Sequence, residues 1–401
     1  MHAPQELTAE QGDRLARRNA FVLAVSMMLA GANASVIVAT GAIVGSMLAP
    51  APGWATVPVS AMVLGTALGT YPASQYMRRV GRRAGFMTGG LIGVSGGLLA
   101  AVALYAASFW LFALAAVLCG AYQAFIVLYR YAAADTATPA FRPKAIAWVM
   151  VGGAMSSIVG PQLVIWTQGM LAPITFLATY LAQAGFAALA ILATSHFTDG
   201  PPLTVASAGS ARPLREILKN RRLLAAILTG MVAQAMMNMV MTATPLAMIG
   251  CGFSVTDSTL GIQWHILGMY LPGFFTGTLV SRYGKGPLML IGLAMLAIAG
   301  VINLFGIGLA NFWSSLILLG VGWNFAFIAA TALVTDCHSP AERARVQGFT
   351  DLMIFGLTTI ASLMAGVLLA YLGWSAVNWM LLPVTALAML FVMATGTLRR
   401  A

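Results

Sequence analysis

The stretch Ser74-Gln75-Tyr76-Met77-Arg78-Arg79-Val80-Gly81-Arg82-Arg83 decides how this chain is read, because it occurs twice. Its second copy is Gly277-Thr278-Leu279-Val280-Ser281-Arg282-Tyr283-Gly284-Lys285. Arg79, Gly81 and Arg82 match Arg282, Gly284 and Lys285 at a constant offset of 203 residues. A second echo, Gly120-x-x-x-Ala124-Phe125-Ile126 against Gly322-x-x-x-Ala326-Phe327-Ile328, has an offset of 202. The chain is therefore two similar halves in the same order.

Outward from these loops the sequence is apolar. Twelve stretches, most of them about 20 to 28 residues long, are expected to cross a bilayer: 19–48, 55–77, 84–104, 109–131, 145–167, 172–194, 222–249, 257–280, 287–306, 311–335, 346–371 and 375–396. Backbone in hydrocarbon must satisfy its own hydrogen bonds, so each is expected to be a helix. All 21 Lys and Arg fall on one side of this arrangement, whereas the connections 49–54, 105–109, 168–172, 307–311 and 371–375 carry no charge. The positive-inside rule makes the basic side cytoplasmic, with both termini there. The expected organisation is a tail at 1–18, a six-helix bundle at 19–194, a linker at 195–221, a second bundle at 222–396 and a tail at 397–401.

Composition excludes the soluble classes. With 401 residues, 60% hydrophobic and 8% charged, the chain cannot cover a soluble globule, whose charged fraction is about 25%. Its 42 glycines suit close helix approach in lipid. The formal charge of +11 does not indicate nucleic acid, because the charges flank helix ends, where headgroups and topology account for them. Cys119, Cys251 and Cys337 form no disulfide framework, and residues 1–18 lack a signal-peptide cleavage pattern. Parallel duplication in a polytopic chain points to a transporter, with nothing to suggest an enzyme.

The repeated loop resembles the conserved loop of the major facilitator superfamily, Gly-x-x-x-Asp-Arg-x-Gly-Arg-Arg, which follows the second span in that family. The first copy has Ser74 for Gly and Arg78 for Asp; the second keeps Gly277 and has Ser281 for Asp. The resemblance implies an all-α fold of 12 transmembrane helices in two six-helix halves, usually monomeric. It also implies conformational gating by Arg79, Gly81, Arg82, Arg282, Gly284 and Lys285, for which Asp351 is a candidate partner. Span five carries Gly152-Gly153 and Gly160-Pro161, similar to the glycine-proline stretch of exporters in the superfamily and equally suited to a close, bent crossing.

His265 is the ionisable group well inside a span, and such groups are expensive to place there. It lies four residues before Met269, and Met237 lies four before Met241 in the preceding span, so each pair shares a helix face. Thioether and imidazole ligands suit Cu(I), whereas Ca or Mg needs oxygen donors. Methionine also fills irregular gaps without any metal. The pairing of Met-x-x-x-Met with His-x-x-x-Met resembles the bacterial CcoA-type copper importers, which supply copper for cbb3-type cytochrome c oxidase assembly.

That resemblance implies copper, as an ion or a small complex, bound by Met237, Met241, His265 and Met269. Cys251 would be an accessory thiol, and the metal would pass by alternating access to a cytosolic acceptor. No prosthetic group is expected. Two rival readings stand beside it: a proton-coupled transporter of a small lipophilic organic molecule, and a non-transporting oxidase assembly partner.

Overall fold

The computed structural model describes residues 9–133, 135, 137–138, 141–199, 212–339 and 341–397. Its helices in chain order are α1 Ala9–Leu48, α2 Val57–Val80, α3 Arg82–Tyr105, α4 Phe109–Ile126, α5 Tyr129–Ala132, α6 Arg142–Thr167 and α7 Leu177–Thr194. There follow α8 Leu214–Ile217, α9 Arg221–Gly250, α10 Val255–Tyr270, α11 Gly273–Tyr283, α12 Lys285–Phe305, α13 Leu309–Asp336 and α14 Arg343–Ala394. A single 3-10 turn, Pro52–Trp54, lies between α1 and α2.

The protein is all-helical and membrane-embedded. Nine of the described helical segments are long and apolar enough to cross a bilayer. Large apolar side chains such as Phe21, Trp110, Trp166, Phe305 and Leu387 stand exposed on helix surfaces, where lipid is their natural solvent.

Three places account for the difference from the sequence-based spans. Helix α2 ends in Arg78 and Arg79 and holds Pro72 and several hydroxyls, which lower its hydropathy. The stretch 257–280 is divided between α10 and α11, because Pro272 lacks the N–H that would continue a helix. In α14 the two expected stretches run together, interrupted at Gly373 by φ 79°, a left-handed conformation that only glycine adopts readily.

Local sequence sets several helix starts. Ser108 accepts from Leu111 N at the head of α4, and Asn220 accepts from Arg222 N and Leu223 N at the head of α9. Ser254 and Asp257 cap α10 reciprocally. Each arrangement satisfies backbone donors that the helix leaves unpaired.

The chain divides into two compact units, Met1–Thr40 with Ala61–Val205, and Gly41–Ser60 with Ala206–Ala401. In the first, α3 packs against α4 and α7 around Phe86, Tyr122, Phe125 and Tyr129. In the second, α9 packs on α14, α12 on α13 and α10 on α13. Within this second unit the segment around the 3-10 turn rests on α14, with Ser60 donating to Ser362 at 2.8 Å.

Candidate functional site

The repeated glycines adopt the same backbone state. Gly81 has φ 90° and ψ 163°, and Gly284 has φ 92° and ψ 162°. This region favours glycine alone, so each turn between helices needs the residue at that place. The basic residue after each glycine then reaches an acid about 50 residues further along its own unit. Arg82 Nε meets Asp135 Oδ2 at 3.0 Å, and Lys285 Nζ meets Asp336 Oδ2 while also donating to the Ala332 carbonyl. Burial pushes the Asp135 carboxyl up from its ordinary pKa, and the Arg82 guanidinium pulls the other way.

Arg79 is exposed beside Tyr76, Arg282 lies over the Tyr283 ring, and Asp351 is exposed on α14. In the first unit a further carboxylate, Asp199, accepts from the backbone N–H groups of Arg82 and Arg83 at 2.8 and 3.1 Å. It occupies the N-terminus of α3, where the helix dipole favours negative charge.

Glu342 anchors the other end of the 195–221 stretch. Its side chain is 2% exposed and takes a two-pronged contact from Arg212, at 2.6 and 3.0 Å. It also accepts from the backbone N–H of Ser339 and of Arg212. Arg212 holds the carboxyl well below the usual value of 4.5. A depressed carboxyl pKa stabilises the folded state above the unfolded value, and this contribution disappears only as the pH falls through the folded one. Wild-type protein should therefore keep the Ser339 and Arg212 amides protected from neutral pH down to about 4.5. Glu342→Gln should raise their hydrogen exchange at neutral pH, read by mass spectrometry; equal exchange would refute the anchor.

The four proposed copper ligands are buried or half-buried in α9 and α10. Met237 and Met241 are 1% and 6% exposed, but Met236 and Met239 are equally buried on other faces of the same helix. Methionine distributed around a helix fills space; it does not mark one coordinating face. His265 is fully buried, and its Nδ1 lies 2.7 Å from the Leu316 carbonyl, so the ring is directed at α13. Met269 lies further along α10, and its carbonyl accepts from Asn324. Cys251 is exposed at the end of α9. Among the described residues no group of three His, Cys, Asp or Glu could hold a metal ion.

Polar groups in the spans are mostly spent on holding helices together. Asn33 donates to the Cys119 carbonyl and accepts from Gln183, and Asn324 accepts from Thr276. A cavity of about 330 Å³ in the second unit, beside Ser46, Leu246 and Gly366, offers little for recognition, because Ser46 already donates to the Ile43 carbonyl.

A different set stands half-exposed in the middle of α9 and α13. Trp323 and Phe327 stack with centroids 5.0 Å apart and planes 16° from parallel, and Trp323 Nε1 donates to Gln234 Oε1 at 2.6 Å. Spacing rules could not pair Trp323 with Gln234, which are 89 residues apart. The available signal was a tryptophan at the centre of a span, since tryptophan ordinarily collects at the membrane interfaces.

The family model of the Major Facilitator Superfamily matches residues 20–358 and 265–400. The chain belongs to the Major Facilitator Superfamily. Within the superfamily it is 43% identical over 376 residues to "Riboflavin transporter RfnT" of Brucella anthropi, covering 93% of this chain and 94% of that one. It is 29% identical to "Uncharacterized MFS-type transporter YdeG" of Bacillus subtilis, covering 93% of this chain and 91% of the relative. The fold is also that of a nucleoside transporter, NupG, with TM-score 0.72, 16% identity, and coverage of 95% of this chain and 100% of the other.

These findings overturn the copper assignment. A superfamily relative of this similarity is a riboflavin transporter and not a CcoA-type importer, and no metal-holding cluster supports a copper ion, a copper complex or a copper acceptor. Met237, Met241 and Met269 lose their assigned role as copper ligands, as does His265. Cys251 loses its accessory one. Fold and similarity indicate a transporter and no catalyst.

Proposed function

We propose that this chain carries a small organic molecule of the riboflavin class across the bacterial inner membrane by alternating access. The observation that carries this reading is the 43% identity to a riboflavin transporter across nearly the full length of both chains. The helical order and the duplicated glycine turns support twelve crossings in two six-helix halves, 19–194 and 222–396, joined by 195–221. Tails at 1–18 and 397–401 would be cytoplasmic, on the side of the basic loops. Arg79, Gly81, Arg82, Arg282, Gly284, Lys285 and Asp351 would act at the gating end.

The test is uptake of isotopic riboflavin by purified protein in liposomes. Saturable entry that empty liposomes lack supports the proposal; its absence under conditions where the protein is folded and inserted refutes it.

The charge distribution adds a second expectation. Among the described residues, no Asp or Glu falls in the middle of an apolar span; Asp351 lies close to the start of α14. Buried carboxylates are absent from those spans, and the buried imidazole, His265, has its Nδ1 engaged by the Leu316 carbonyl, which leaves no chain of Asp, Glu or His to carry a coupled proton. Riboflavin is neutral, so its entry should stop at equal concentrations inside and out, with or without an imposed pH gradient. Accumulation driven by an acidic exterior would contradict this.

A further inference from the structure

We propose that the Trp323–Phe327 stack and Gln234 form a shelf that recognises a planar heteroaromatic ring bearing carbonyl groups at one edge. The inference rests on the riboflavin-class reading and deepens it by naming the part of the molecule that is bound and the side chains that bind it.

Three features converge. The first is depth: Gln234 lies 13 residues into α9 and Trp323 lies 14 residues into α13. At 1.5 Å per residue both sit roughly 20 Å from the start of their helices, near the middle of a bilayer. The second is orientation: both rings are half-exposed, whereas the exposed residues Ser314 and Ile317 lie on a different face of α13. The Trp323 indole is directed at α9, where Gln234 receives its N–H.

The third is chemistry. A tryptophan within a span needs a partner for its N–H. Here the indole N–H is spent on the Gln234 carbonyl oxygen, which fixes the amide and leaves its two N–H donors without a partner among the described residues. A stacking surface beside amide donors matches a ring whose faces are apolar and whose edge carries carbonyl acceptors. Sugar alcohols offer no face to stack on, and metal ions would meet donors where they need acceptors. Stacking on an aromatic side chain is tolerant of ring identity, so the edge donors supply the discrimination.

The proposal is tested with reconstituted wild-type protein and three probes: riboflavin, its ring alone as lumichrome, and its side chain alone as ribitol. Lumichrome should inhibit riboflavin uptake and ribitol should not. Trp323→Ala should raise the half-saturating riboflavin concentration about tenfold, within the range expected for losing one aromatic stacking partner. Trp323→Phe keeps the stack and should shift it less. Gln234→Leu should weaken riboflavin more than it weakens a carbonyl-free planar competitor.

Inhibition by ribitol without inhibition by lumichrome overturns the shelf, as does an unchanged half-saturation in Trp323→Ala. Because the competition arm uses wild-type protein, a variant that fails to fold does not shield the proposal. Failure of wild-type uptake itself refutes the riboflavin-class reading instead, so the two outcomes are separable.

Discussion

Gly320→Val is expected to separate α10 from α13 and to cost about 3 kcal/mol of stability, the upper part of the range for overpacking a close contact. A Cβ at Gly320 would fall on the His265 carbonyl oxygen, with Met269 N only 3.0 Å away and Gly268 C at 3.1 Å. These are backbone atoms, so no side-chain rotation relieves the overlap. The same crossing is tight from the other side, where a Cβ on Gly268 would stand 2.9 Å from the Ile317 carbonyl oxygen. It also carries the hydrogen bond from His265 to Leu316.

Thermal unfolding in detergent should show the loss, and Gly268→Val combined with Gly320→Val should cost less than the two added, because both open one crossing. Gly356→Ala is the contrast. An added Cβ there meets nothing within 4 Å, and alanine within a helix should stabilise by about 0.5 to 1 kcal/mol. Equal behaviour of Gly320→Val and Gly356→Ala would show that the close approach is not energetically important.

The second large effect concerns the repeated turn. Gly81→Val forces a branched side chain into φ 90°, which costs about 1–3 kcal/mol, and sets its Cβ 2.8 Å from Asp199 Oδ2. Displacing Asp199 exposes the α3 donors and adds roughly 0.5–2 kcal/mol, the ordinary value of a helix cap. Gly284→Val meets only Pro287 at 3.7 Å, so it should show the strain alone. The two turns share a backbone but not a carboxylate, and Gly81→Val should accordingly be the more damaging. Asp199→Asn should bring Gly81 closer to Gly284 in its tolerance. A reversed order in chemical or thermal denaturation would remove Asp199 from the account.

The duplication is legible in the sequence because glycine conformation leaves a residue-level trace. Gly81 and Gly284 recur at a fixed offset, and their backbones coincide. The apolar runs likewise gave most helices, since hydrocarbon permits few alternatives. Exact crossings were less legible where proline and positive φ intervene, as at Pro272 and Gly373.

The site was harder to read for a physical reason. Sequence spacing locates residues on one helix face, and it selected Met237 with Met241 and His265 with Met269. What His265 meets is a backbone carbonyl 51 residues away, and a carbonyl has no sequence signature. The Trp323–Gln234 contact is likewise long-range. Arg82 offered a partial lesson: the sequence marked it as a gating residue, while the acid it meets in its own unit, Asp135, depends on how the connection after α4 returns.

The two carboxylate anchors on the 195–221 stretch have a mechanical consequence. Asp199 is tied to the first turn of α3, and Arg212 is tied to Glu342, so each end of the stretch is held within its own unit. Fully stretched, the thirteen residue steps from 199 to 212 reach roughly 45 Å. Residues 199 and 212 can never part by more than that covalent length, and deleting residues between them would lower the limit in proportion.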